Sequence, residues 1–469
     1  MFNKAMRIVS LLLALVMIFS LTACKSKEEN TSDETEIVYE YEYEYEDEQG
    51  DGTTGTSSGK KPTSSANKEE EMTGTTVNLD KLKGTTVVYA TWHDPELNED
   101  GPVVQDFQKK YGINVKIDYI EQGGYVRTVA SRIAAGQSPD VYFCTGDFPA
   151  AMQCLQSLDA TKLDLTDEIW NKTILDVSTY GGKPYLLDTV GDIWAETDCI
   201  FYNKKILKQA GFSEVYPNEL YEQGKWTWDS MEHIMRECSK LGGGISGAEF
   251  YLIDSLANSV GCGMLRNKNG KFSSGIDNKL IEVYKRIASW HTDGLSGKNK
   301  WDDGFIAGKV AFVHSNAYGL KQTGHWRDMN WDDIGFVYAP AYDSNSPVYQ
   351  SALIRGYGLI RGAKNPEGAG VFLRYYLDAD NYDNSSAFIN DEAATFFYQL
   401  TNVGENYVPY FTFHDYIKDL TGFDTKAFMK IPTKVAPDQV ESSVKSFERE
   451  ANNAVKTIND FTAKNTGKK

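Results

Sequence analysis

Between residues 85 and 144 the apolar period alternates between two and about 3.6 in the order βαβαβ, and few architectures satisfy that order. "TTVVYATW" (85–92) is a β-branched apolar run, the pattern of a buried strand. Gly101-Pro102 then opens a helix with Pro at its tolerated first position. Val104, Phe107 and Tyr111 share one face of it, and Gly112 stops it. "NVKIDYI" (114–120) alternates as a strand. "GGYVRTVASRIAAG" sets Val126, Val129 and Ile133 on one helical face and ends at Gly136, and "PDVYFC" (139–144) is a third strand. Crossovers of this kind require a parallel sheet with helices covering it.

The α/β character continues. "KWTWDSMEHIMRECSKLGGG" has Thr227 as its N-cap and Met231, Ile234, Met235 and Cys238 on one side. "GKVAFVHSNAYG" (308–319) and "DIGFVYAPAY" (333–342) read as strands. A strand, a turn and a helix follow, the helix capped by Asn365 with Pro366 at its first position. A final helix is expected over 437–464, with Val440, Val444, Phe447, Ala451, Ile458 and Phe461 at helical spacing. Residues 79–469 are enough for two domains. Beyond Cys24 there are five cysteines, an odd number without C-x-x-C spacing, so they read as buried small hydrophobes and not as a disulfide framework.

The N-terminus reads as an address. Lys4 and Arg7 precede an apolar run at 8–21, which is short for a membrane span. Leu21-Thr22-Ala23-Cys24 then resembles a bacterial lipobox, which implies a signal peptide at 1–23 and acylation of Cys24. Two acyl chains hold a protein stably where one does not. Residues 24–78 read as a disordered acidic tether. Residues 25–78 carry fifteen acids against five lysines, which is ten of the chain's net −18. The "YEYEYEYE" run at 39–46 reads as solvated spacer, with a sticky aromatic segment as the alternative. The acidity is thus largely a property of the tether.

The succession of landmarks over 84–465 resembles the extracellular solute-binding proteins of ABC importers, the family that includes maltose-binding protein. The residues that carry this are "TTVVYATWHD", "AAGQSPDVYFCTGD", "CIFYNKKILKQAGF" followed by "WTWDSM", "FIAGKVAFVHSNAYGL" and "GYGLIRGAKNPEGAGVFLRYYLD", in that order. The resemblance implies an α/β, two-lobed periplasmic-binding-protein-like fold of type II, with discontinuous lobes and a ligand cleft at the hinge. Lobe one would take 79–192 and 345–380, and lobe two 193–344 and 381–469. It also implies a monomer, anchored by lipid to the outer face of the cell membrane. Such a protein would capture a small solute, most readily a sugar or oligosaccharide, and pass it to ABC permease subunits.

In open α/β sheets ligands meet the C-terminal ends of strands. That nominates Trp92, His93 and Asp94 after the first strand and Gln122 to Gly124 after the second. Thr145, Gly146, Asp147 and Phe148 follow the third. Trp194 and Glu196 lie near the first crossing between lobes, and Arg355 and Tyr357 at the second. Tyr318 falls where the resembling family often places an aromatic platform. Aromatic faces suit the C–H face of a pyranose, while carboxylates and Arg bind hydroxyls. Taken singly, each glycine also reads as turn chemistry and each aromatic as core, since 13% of the chain is aromatic.

Other classes are weaker. No G-x-S-x-G, H-E-x-x-H or P-loop motif occurs, and "GYGLIRG" (356–362) has the wrong last spacing for a dinucleotide fingerprint. Six scattered histidines lack metal-ligand spacing, so neither cofactor nor metal is expected. The acidic chain shows no basic patch for nucleic acid. The alternatives are a tethered carbohydrate-active enzyme, with Asp94 paired to Asp147 or Glu196, and a receptor for a non-sugar solute.

Overall fold

The computed structural model describes residues 75–92, 101–189, 197–378, 388–401 and 407–466. The expected signal peptide, Cys24 and the tether as far as residue 74 lie outside the described residues.

The first sheet contains β1 (Thr86–Thr91), β2 (Asn114–Tyr119), β3 (Val141–Thr145) and β4 (Leu155–Gln156). A short hairpin, β5 (Thr179–Tyr180) and β6 (Lys183–Pro184), follows. The chain then builds β7 (Asp198–Asn203), β8 (Ser246–Phe250), the hairpin β9 (Leu265–Lys268) and β10 (Lys271–Ser274), β11 (Val310–Asn316) and β12 (Ile334–Val337). It returns through β13 (Gln350–Leu353) and β14 (Arg355–Ile360), and ends beyond β15 (Tyr407–Tyr410).

Lobe one carries a five-stranded sheet in the order β2-β1-β3-β14-β4. β1 runs parallel to β2 and β3, while β14 is antiparallel to β3 and β4. Lobe two carries a four-stranded sheet in the order β12-β7-β11-β8, in which β7 runs against β11 and β12. β13 and β15 pair in parallel as a separate ribbon. An isolated bridge from Thr197 to Ala352 sets the start of β7 beside that ribbon. The chain therefore crosses between lobes repeatedly, and every described crossing meets at the ribbon. This is the two-lobed fold that the resemblance implied.

Local signals act where the sequence places them. Pro102 opens the helix Pro102–Tyr111 and Gly112 ends it at φ 66°. Phe107 and Tyr111 pack on Phe372 and Tyr375 of the helix Pro366–Tyr376, at ring separations of 5.3 and 5.6 Å. This joins an early helix of lobe one to a late one. Asn365 caps the later helix by accepting from the Gly368 amide. In lobe two, Thr227 and Ser230 form a reciprocal capping box, and Trp228 packs on Trp290 at 4.8 Å. All five described cysteines are free and buried.

Two expectations need correction. The helix expected over 437–464 is broken into Val440–Ser446 and Glu448–Thr466, after a 3-10 turn at Pro437–Gln439. At the break Phe447 packs edge-on against Phe423 and Phe428, and the Ser442 and Ser446 hydroxyls turn back to main-chain carbonyls. The sequence reading also places no strand between the helix Trp228–Ser239 and residue 308, where β8, β9 and β10 lie. The sequence of β8, Ser-Gly-Ala-Glu-Phe, has none of the β-branched residues found in the other three strands of its sheet, β7, β11 and β12. Gly247 allows that strand to lie against the helix, since a Cβ there would sit 2.6 Å from Met235.

The segment 407–466, expected with lobe two, packs on residues of both lobes. Phe411 meets Phe148 of lobe one at 6.2 Å and Phe272 of lobe two at 5.3 Å. Asp419 accepts from Arg127 at 3.0 Å, and the last helix lies against the turn Ala150–Gln153.

Candidate functional site

Both sheets present the same kind of edge to the hinge. In lobe one, β1 and β3 end there and the antiparallel β14 begins there. In lobe two, β8 and β11 end there and β7 begins there. A solute between the lobes would therefore meet the residues at these strand ends.

The lobe-one edge forms a continuous group. The half-buried Trp92 packs on Phe143 at 5.6 Å, and Phe143 packs on Tyr357 at 5.2 Å. The Arg355 guanidinium lies 5.2 Å from the Phe143 ring centre and 5.8 Å from that of Tyr357. Its Nη2 donates to the Tyr357 hydroxyl at 3.3 Å, and its Nη1 lies 3.4 Å from Asp188. Arg355 and Asp188 are only 6% and 4% exposed, so the pair is held in place and its charge is largely cancelled.

Asp147 and Phe148 stand apart from this group. Asp147 is buried and accepts from the Tyr142 hydroxyl and, at 2.8 Å, from the Cys144 thiol. Burial raises its pKa, against the opposing pull of His414 and of those two hydrogen bonds. Phe148 is buried against Tyr180 and Phe411. Both belong to the packing beneath the edge. Asp94, Trp194 and Glu196, with His93, lie outside the described residues.

The lobe-two edge is an aromatic cluster. Tyr251, just after β8, packs on Trp301 at 4.8 Å. His325 lies edge-on to Trp301 and to Tyr318, 5.1 Å from each. Its Nε2 is 2.9 Å from Asn316 Oδ1 at the end of β11, and the Tyr318 hydroxyl donates to the Thr323 carbonyl at 2.6 Å. Burial, with Arg327 nearby, lowers the His325 pKa to about 4, so its ring is neutral at ordinary pH. Tyr251, Trp301, Tyr318 and His325 are all partly exposed.

Sequence position nominated Trp92, Arg355, Tyr357 and Tyr318, and the structure joins the first three through Phe143. It did not find Phe143, Asp188, Tyr251 or His325. Phe143 could have been found from its neighbours, because it alternates with Tyr142 in a strand already nominated. Asp188 lies in irregular chain, and Tyr251 follows a strand that lacks strand-like composition.

The sequence model for bacterial extracellular solute-binding proteins matches residues 94–383. The chain belongs to that family. Among solved structures, the cyclic alpha-maltosyl-1,6-maltose binding protein of Arthrobacter globiformis superposes with a TM-score of 0.60 at 13% identity, covering 80% of this chain and 99% of that one. The extracellular solute-binding protein of Staphylococcus aureus, solved with maltose, gives 0.54 at 15% identity, covering 82% and 98%. The ABC substrate-binding protein of Listeria monocytogenes, solved with cycloalternan, gives 0.53 at 18% identity, covering 82% and 100%. No curated protein matches the sequence. These solute-binding proteins share the fold with this chain, and binding of a solute is its role. No helix among the described residues is long and apolar enough to cross a membrane.

Proposed function

We propose that this solute-binding protein is a lipid-anchored receptor that captures a sugar or oligosaccharide and delivers it to an ABC permease, binding without catalysis. The observation that carries the reading is the pair of edges at the hinge. One offers Trp92 beside the neutralised Arg355–Asp188 pair, and the other offers Tyr251, Trp301, Tyr318 and the neutral His325. Ring faces take the C–H faces of a pyranose, while fixed polar groups take its hydroxyls. Structural neighbours solved with maltose or cycloalternan support the same class. Asp94, Trp194, Glu196 and the more deeply placed Asp147 and Phe148 remain part of the proposed ligand-binding set. Ligand that contacts both lobes favours the closed state by its differential affinity for the two forms, and the permease reads that form. Cys24 keeps the receptor beside its transporter.

A thermal-shift screen tests this on the full chain carrying Cys24→Ser, against mono- and oligosaccharides, amino acids, peptides and polyamines. A sugar that raises the melting temperature in proportion to the logarithm of its concentration supports the reading. A rise only with another solute class overturns the carbohydrate assignment and keeps the receptor. Turnover of a chromogenic glycoside overturns the non-catalytic reading.

A further inference from the structure

The crossing strands are gripped from both sides by single residues. On the lobe-two side, Asn258, 4% exposed in the helix Ile253–Asn258, donates from Nδ2 to Ser351 Oγ at 2.9 Å and to the Val408 carbonyl at 3.2 Å. One carboxamide thus holds both strands of the ribbon, β13 and β15. Ser255 of the same helix shares a 3.0 Å hydrogen bond with Ser351 and donates to Asp198, the first residue of β7. On the lobe-one side, the Gly146 amide donates to the Ile354 carbonyl at 3.1 Å, and its carbonyl accepts from Thr412 Oγ1 at 2.8 Å. Gly146 sits at φ 73°, and a Cβ there would lie 3.0 Å from the Leu353 side chain, so only glycine fits this grip without strain.

We propose that Asn258 and Gly146 are positioning residues that confine the lobe motion to Ala352–Leu353 in one strand and Pro409–Phe411 in the other. Ser351 and Val408 travel with lobe two, and Ile354 and Thr412 travel with lobe one. Hinges absorb their change in φ and ψ over a few element-terminal residues, and here β13 ends at Leu353. Outside the grips the lobes also meet through ring contacts, Phe148 on Phe411 and Tyr180 on Phe272, which are non-directional and can slide, and through one 2.7 Å hydrogen bond from Asn267 Nδ2 to the Tyr180 hydroxyl, which opening must break. The inference holds whatever solute occupies the cleft.

The test uses the full chain with Cys24→Ser and nitroxide labels at Lys109→Cys and Lys240→Cys, both exposed and one in each lobe. The five described cysteines are buried and escape labelling. Pulsed dipolar spectroscopy reads the distance between labels, and hydrogen exchange reads the amides. Asn258→Ala is expected to broaden the distance distribution and speed exchange tenfold or more in 350–353 and 407–410, leaving β11 unchanged. Thr412→Val is expected to broaden the distribution without affecting exchange in the helix Ile253–Asn258. Leu353→Gly, between the grips, is expected to broaden it with no change in β11. An unchanged distribution in all three variants overturns the proposal. So does faster exchange spreading into β11 in any of them, which would mark a purely structural role.

Discussion

Asp254 shows how one buried side chain can set a pH dependence of folding. It is fully buried, and its carboxylate accepts from the Tyr284 hydroxyl at 2.7 Å. Burial raises its pKa from 3.8 to about 7, against the hydrogen bonds from Tyr284 and Tyr410. The native protein therefore holds a proton here that the unfolded chain has released. Stability from this group is fully present below about pH 4 and is lost as pH rises towards 7. Asp254→Asn should raise the melting temperature above that of the wild type at pH 8, with the gap closing below pH 4. Equal curves at pH 8 would show that the carboxylate is already accommodated. At the site, Trp92→Ala should weaken solute binding by about 1 kcal/mol, roughly fivefold, with little change in melting temperature. Titration calorimetry with the sugar identified by the screen checks this. Arg355→Ala should act differently: it strands Asp188 in a buried position and should cost about 3–5 kcal/mol of folding stability. Both positions are nominated by strand ends alone. Their contrasting roles are not, because the partner Asp188 sits in chain that carries no regular pattern.

Among elements, the legible ones were those whose apolar period and end signals agree. The Pro102 helix start, the Gly112 stop, the Thr227 cap and the Asn365–Pro366 helix start all act as their residue types dictate. β8 was hidden because it is held by one polar residue and not by apolar alternation. Glu249 on that strand accepts from Ser246 Oγ at 2.6 Å and from the amides of Gly297, Lys298 and Asn299 at 2.9 to 3.1 Å. It thereby fixes the loop leading to Trp301. Glu249→Ala takes the shared acceptor from the buried Ser246 hydroxyl and from three partly buried amides and should cost about 1–3 kcal/mol in denaturant unfolding. It should also weaken solute binding through Trp301. Thr227→Ala, which removes only a cap, should cost about 1 kcal/mol and leave binding unchanged. The terminal helix was misread for a related reason. Its apolar residues keep helical spacing, but period alone does not show that Phe447 has better aromatic partners if the helix breaks.

For the whole molecule, the sheet order carries consequences that composition does not. Two lobes were legible from the order of motifs. The way segment 407–466 packs on both was not, because its contacts are long-range and no local pattern encodes them. The anchor is tested at this scale: Cys24→Ala should move the protein from the membrane fraction to the medium, and retention in the membrane would sink the lipid reading. The position of β14, fourth in the first sheet between β3 and β4, governs the order in which the molecule can assemble. A chain emerging from the ribosome has made β1 to β3 by residue 145, yet β3 lacks its second neighbour, β14, until residue 360 has appeared. More than two hundred residues separate the two partners, a long loop to close before the lobe gains its central pairing. The nascent protein therefore stays incompletely folded through most of its synthesis. That delay would suit the export proposed above, in which the chain is threaded unfolded through a translocation pore before it becomes compact.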